Sequence, residues 1–151
     1  MRKIVELSKL DWNSESPFSD KSLIEELLKP TKLYVDCVVP LLKKVKINGI
    51  VHITGGGILE NIPRVLPNGL TASIKLENWD IPEVFRWLSQ SCQLTELEML
   101  KTFNCGVGLV LITKQYNEQK VLDFLNDIGE NVIPLGNVIK GSKISFSGKL
   151  L

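Results

Sequence analysis

Apolar residues recur every third or fourth position in some stretches of the chain and gather in short β-branched runs in others, with polar or glycine-rich segments between. Ile4, Val5, Leu7 and Leu10 open with helical spacing, although no Ser, Thr, Asp or Asn precedes them as a cap. After a polar, turn-rich stretch over residues 12–20, Leu23, Ile24, Leu27 and Leu28 predict a short helix ending before Pro30. Asp20 or Ser22 can cap it, with Glu25 completing a capping box from Ser22. Val38, Leu41, Leu42 and Val45 predict a helix from near Asp36 to Lys46, which tolerates Pro40 only near its first turn. Ile50-Val51-His52-Ile53-Thr54 reads as a strand running into three glycines. Pro63 then limits the next segment to a helical turn or two starting near Glu60 or Asn61, closed by Pro67-Asn68-Gly69.

Residues 70–76 predict a second strand, and Pro82 opens a helix bearing Val84, Phe85 and Leu88. Thr95 and Glu98 form another capping box, ahead of the stripe Leu97, Leu100 and Phe103. Residues 107–112 are almost wholly apolar and predict a central strand. The helix over 117–128 carries Val121, Phe124, Leu125 and Ile128 and stops at Gly129. Residues 132–139 and 144–146 predict two strands joined as a hairpin around Gly141 and Ser142. Strands and helices mix without strict βαβ alternation, so the expected fold class is α/β to α+β, a mixed β-sheet packed with helices.

The 151 residues suit one domain with one core. At 44% apolar and 23% charged, the composition excludes a disordered or low-complexity chain. A net charge of +1 gives the whole chain no electrostatic claim on nucleic acid or anionic membrane. There is neither a spanning apolar run nor a signal-peptide block, so the expected setting is the cytoplasm. Cys37, Cys92 and Cys105 lack CxxC or Cys/His spacing, which indicates neither a disulfide framework nor a zinc site. Carboxylates paired at metal-ligand spacing are absent as well, and no metal site is expected.

The stretch from His52 through Thr54, Gly55, Gly56 and Gly57 to Asn61 and Arg64 is the most informative. Bare glycine N–H groups ahead of a helix start make a phosphate cradle, and the Arg64 fork reaches an oxyanion held there. The same residues also fit a plain surface turn with Arg64 paired to Glu60 four places earlier. His52, the single histidine, shares a strand face with Ile50 and Thr54 and reads either as a hydrogen-bonded structural residue or as an acid or base. A second constellation, Thr102, Asn104 and Gly106, lies at a helix-to-strand turn that either faces a ligand or merely ends the helix. Cys105 has no evident base near it and is not read as a nucleophile. Trp79, Trp87 and Phe85 read as core and rim of one helix, and Lys43, Lys44 and Lys46 as a solvated face.

These constellations, taken with Leu28-Lys29-Pro30-Thr31-Lys32-Leu33-Tyr34-Val35, Glu60-Asn61-Ile62-Pro63-Arg64 and Glu98-Met99-Leu100-Lys101-Thr102-Phe103-Asn104-Cys105-Gly106, have a recognisable order. The sequence resembles the C-terminal domain of the phosphoribosylformylglycinamidine cyclo-ligase family, also called aminoimidazole ribonucleotide synthetases, from about residue 2 to residue 136. Cys105 stands where that family usually has Met, and Lys32 where many members have Arg, which keeps the charge but loses the fork.

The resemblance implies ATP-dependent closure of an imidazole ring on formylglycinamidine ribonucleotide, releasing ADP and phosphate in purine synthesis. It implies that Thr54, Gly55, Gly56, Gly57, Asn61 and Arg64 cradle phosphate or ribose, and that His52, Thr102, Asn104 and Gly106 line the same cleft. ATP and Mg2+ would be held mainly by an N-terminal domain that also builds a homodimer. That domain, and a Ser/His/Asn/Gly-rich segment opening the C-terminal one, have no counterpart in these residues. The expectation is therefore a single C-terminal domain over 1–151 with its start missing, inactive alone. The alternative is a stand-alone phosphate- or nucleotide-binding or interaction module without catalysis. A selenophosphate or thiamin-phosphate enzyme of the same superfamily is disfavoured by the Glu-Asn-Ile-Pro-Arg and Thr-Phe-Asn-x-Gly motifs.

Overall fold

The computed structural model describes residues 2–151, with the backbone alone described for Arg2, Lys3 and Leu7. Helix α1 spans Arg2–Leu7 and α2 Leu23–Leu27. Helix α3 (Val35–Lys44) leads into strand β1 (Ile47–His52), and α4 (Gly57–Asn61) passes into a 3-10 turn at Ile62–Val65. Strand β2 (Leu70–Lys75), helices α5 (Glu83–Cys92) and α6 (Glu96–Thr102), strand β3 (Leu109–Thr113) and helix α7 (Glu118–Asp127) follow. Strands β4 (Gly136–Lys140) and β5 (Ser145–Ser147) end the order.

Both capping boxes form. Ser22 and Thr95 accept from the backbone N–H groups of Glu25 and Glu98, whose carboxylates accept from the backbone N–H groups of Ser22 and Thr95. Pro40 lies past the first turn of α3, contrary to expectation. The carbonyl deprived of its partner belongs to Asp36, and both residues are exposed, so water satisfies what the proline removes. Gly129 ends α7 with a φ of 80°, as the glycine stop predicts, but Ile128 is exposed rather than part of the buried stripe of Val121 and Leu125.

The strands form two small sheets. β1 pairs antiparallel with β3, and β2 lies between β4, antiparallel to it, and β5, parallel to it. β3 is thus not central: it pairs with β1 alone and is half-buried throughout. Its apolar residues are used on two faces of a ribbon, a pattern that sequence cannot distinguish from a strand inside a wide sheet. The expected hairpin does not form either, because β2 separates β4 from β5. Two strand spacings come to about 10 Å, and four linking residues reach about 13 Å, enough to step across a strand. The step is pinned where the Gly141 N–H donates to the Gly69 carbonyl at 3.0 Å.

The larger core gathers Val51 and Ile53 from the β1 segment with Ile58, Ile74, Trp79, Leu88 and Leu100. A second cluster joins α3 to α7 through Cys37, Val38, Leu41, Val45, Val121 and Leu125. Alternation along β1 sends Val51 and Ile53 inward and leaves Ile50, His52 and Thr54 exposed, the face that sequence assigned to them.

Candidate functional site

The glycine triplet turns the chain sharply out of β1. Gly57 has a φ of 56°, and a Cβ there would lie 2.1 Å from the Leu100 carbonyl oxygen, so the residue is glycine because α6 backbone fills the space of a side chain. This close approach starts α4 at Gly57, earlier than the expected Glu60 or Asn61. Pro63 is accommodated because the helix tightens to 3-10 geometry there.

Asn61 is buried, and its Nδ2 donates to the carbonyls of Gly57 at 2.7 Å, Gly55 at 3.2 Å and Thr54 at 3.4 Å. It therefore stitches the turn shut. The Gly57 N–H donates to Thr54 at 3.0 Å, whereas the N–H groups of Gly55 and Gly56 find no acceptor among the described residues. Arg64 pairs with Glu60 at 3.6 Å and donates from Nη1 to Asn61 Oδ1 at 3.2 Å, while most of its fork stays in solvent. Both sequence readings of this stretch thus have a physical counterpart: a paired arginine, and bare N–H groups beside it.

His52, Asn104 and Gly106 line one cleft of about 660 Å³, together with Tyr34, Phe85 and Gly108. Thr54, Gly55, Gly56, Gly57, Asn61, Arg64 and Thr102 are not part of its lining. The two groups are nevertheless joined by short covalent links, from His52 to Thr54 and from Thr102 to Asn104. Asn104 Oδ1 accepts from the Gly106 N–H at 3.0 Å, which leaves its amide NH2 without an acceptor among the described residues. The left-handed conformation falls on Cys105 (φ 49°) and Gly106 (φ 99°), and the buried Trp79 indole fixes the turn by donating to the Cys105 carbonyl at 2.9 Å. Burial pushes the Cys105 thiol up to about 12, so it stays protonated near neutral pH and is a packing residue.

Sequence reasoning about the site left out the opposite wall of this cleft, formed by residues 26–34. Lys29 pairs with Glu26 at 2.5 Å, and Lys32 pairs with Glu130 just past α7. The Glu130 hydrogen bond raises the Lys32 pKa, and burial raises that of the Tyr34 phenol. The available signal was a lone Tyr34 after a proline-bearing segment with no helical or strand period. A second hollow of about 960 Å³ lies beside β3 and α7, lined largely by apolar residues. Among the described residues no three His, Cys, Asp or Glu side chains cluster to hold a metal ion, and no helix is long and apolar enough to cross a membrane.

Over 137 residues, 91% of this chain and 39% of the relative, the sequence is 43% identical to the phosphoribosylformylglycinamidine cyclo-ligase of Citrifermentans bemidjiense. The chain thus spans well under half the length of that curated relative. The family described as AIR synthase related protein, C-terminal domain, matches residues 1–149, which takes in both glycine turns and every wall of the cleft. The mixed sheets packed with helices, the two motif-bearing turns and this end-to-end match make the chain a member of the AIR synthase related protein C-terminal domain family.

Proposed function

We propose that this chain supplies the C-terminal part of the site of a phosphoribosylformylglycinamidine cyclo-ligase. The carrying observation is the 43% identity over 91% of the chain to a protein of that name. The reaction is an intramolecular ring closure. The formyl-amide oxygen of formylglycinamidine ribonucleotide is activated by phosphoryl transfer from ATP, an amidine nitrogen of the same molecule attacks the activated carbon, and phosphate leaves. Nucleophile and electrophile already share one molecule, so the protein contributes orientation and charge stabilisation.

In this reading the cleft at His52, Asn104 and Gly106 receives the substrate, and the free amide of Asn104 donates to it. Gly55, Gly56 and Arg64 meet its phosphate, with Thr54 and Thr102 at the junction and Asn61 and Gly57 holding the turn in shape. In this reading ATP and Mg2+ are held mainly by the N-terminal domain of the full-length enzyme, which also builds its homodimer. A cytoplasmic setting accords with such a substrate.

The test is calorimetric titration of the chain with aminoimidazole ribonucleotide, the product of the proposed reaction. Binding that weakens roughly tenfold in Arg64→Ala supports the phosphate assignment. An unchanged affinity in that variant overturns it. A ring-closure assay with ATP on the chain alone is expected to show no turnover, and turnover would refute the division of labour.

A further inference from the structure

Two residues at the cleft, Tyr34 and Gly108, fit each other in a way the phosphate and substrate assignments leave unused. Tyr34 precedes α3, and its carbonyl accepts from the Val38 N–H at 2.9 Å and from the Cys37 thiol at 3.2 Å. Its backbone is thereby fixed to the first turn of a helix packed on α7. Gly108 is fixed from the other side, because its carbonyl accepts from the Ile53 N–H at 2.9 Å and the next residue, Leu109, pairs with His52 across the β1–β3 ladder.

The Tyr34 ring bridges these two anchored backbones. A Cβ built on Gly108 would lie 2.0 Å from Tyr34 Oη and 3.2 Å from Cζ, so the phenol occupies the space where any side chain at 108 would begin. Gly108 does not have the left-handed backbone that favours glycine, unlike Gly106, so it serves space and not conformation. The same ring meets the His52 imidazole edge-on, with centroids 6.0 Å apart and planes inclined at 69°. That arrangement suits the aromatic quadrupole and restrains a ring that is otherwise exposed.

We propose that Tyr34 is the positioning residue for His52 in the cleft, and that Gly108 is the gap in the backbone that admits its ring. The proposal rests on the reading of this cleft as the substrate site. Without the tyrosine, His52 stands on an exposed strand face with free choice of rotamer, and a substrate meeting it must pay for ordering the ring. With it, the imidazole is held at one orientation beside Asn104 before anything binds.

His52 is the only histidine, so its imidazole protons give a single assignable set of NMR signals, and only Tyr116 competes with Tyr34 for the tyrosine ring signals. In the labelled 151-residue chain we expect cross-relaxation between the His52 and Tyr34 rings. Tyr34→Phe keeps the His52 signals near their original positions, whereas Tyr34→Ala and Gly108→Ala both shift them. In the double variant Tyr34→Phe with Gly108→Ala the nearest ring atom is Cζ, and a shift of a few tenths of an ångström relieves it. The His52 signals then return most of the way. Equal His52 signals in the wild type, Tyr34→Ala and Gly108→Ala would overturn the proposal, as would a double variant no closer to wild type than Gly108→Ala. Methyl signals of the buried core report separately that each variant is folded. Titrated with aminoimidazole ribonucleotide, Gly108→Ala is expected to bind roughly tenfold more weakly, and the double variant to recover most of that loss. Failure of the wild type to bind this probe sinks the substrate reading, and the ring signals alone then decide the positioning.

Discussion

The turns at residues 55–57 and 104–108 lie side by side at the same end of one hydrogen-bonded ribbon, just after β1 and just before β3, and their glycines are needed for different reasons. Gly57 faces main chain, the carbonyls of Leu100 in α6 and of Phe103 at its C-cap. Gly106 and Gly108 face side chains, the Pro82 ring and the Tyr34 phenol, which form walls of the cleft. At Gly57 and Asn61 the first turn is therefore scaffold, stitched by a buried amide, while Gly55 and Gly56 keep their N–H groups bare among the described residues. The second is a surface whose shape is set by neighbours that substitution can move. A mutation at Gly57 or Asn61 should act on stability, and one in the second turn on the cleft.

The sharpest way to break this contrast is inside the triplet itself. Gly57→Ala combines a left-handed backbone with a collision against backbone, and is expected to cost about 3 kcal/mol or more in urea denaturation. Gly55 has open space around the position of a Cβ, so Gly55→Ala should stay within about 0.5 kcal/mol. Similar losses in the two variants would refute the scaffold account. Asn61→Asp replaces a buried donor by an acceptor facing three carbonyls and should cost about 2–3 kcal/mol by the same measurement. Gly106→Ala meets only the edge of Pro82, but from a φ of 99°, and a loss of about 1–2 kcal/mol is expected. In titrations with aminoimidazole ribonucleotide it should weaken binding more than Asn61→Asp does in whatever fraction stays folded. The reverse ranking would reverse the roles of the two turns.

The smallest expected effect concerns the helix starts that frame these turns. Hydrogen bonds from Ser22 and Thr95 hold the Glu25 and Glu98 carboxyls below their ordinary value of 4.5. A carboxyl whose pKa is depressed on folding stabilises fully above its unfolded value, and that stabilisation fades as pH falls through the folded one. Thermal melting of the wild type should therefore drop more between pH 6 and pH 3 than that of a Ser22→Ala, Thr95→Ala variant. Both groups are exposed, so the difference is small, and parallel curves would show that the caps do not titrate in this window.

Local chemistry explains why some of this was legible in advance. The Ser22 and Thr95 boxes, the Gly129 stop and the inward and outward alternation at Val51, His52 and Ile53 each depend on residues a few places apart. The motif residues of the site were legible for the same reason, since a short pattern carries them. Sequence misjudged β3 as central and residues 136–147 as a hairpin, because the partners of a strand lie far along the chain. It also placed His52 and Arg64 in one cleft, whereas the structure separates the cleft lining from the glycine turn by the length of the Thr54 junction.

The sequence by itself determined the helix caps, the class of mixed sheets with helices, and the family. Only the tertiary structure decided that Gly57 is fixed by α6 and that Tyr34 meets His52 over Gly108. The physical reason is distance along the chain. Capping and periodicity act within one or two turns of backbone, while close packing sets residues 18 or 74 places apart against each other at van der Waals contact, and no local pattern encodes which atoms will meet.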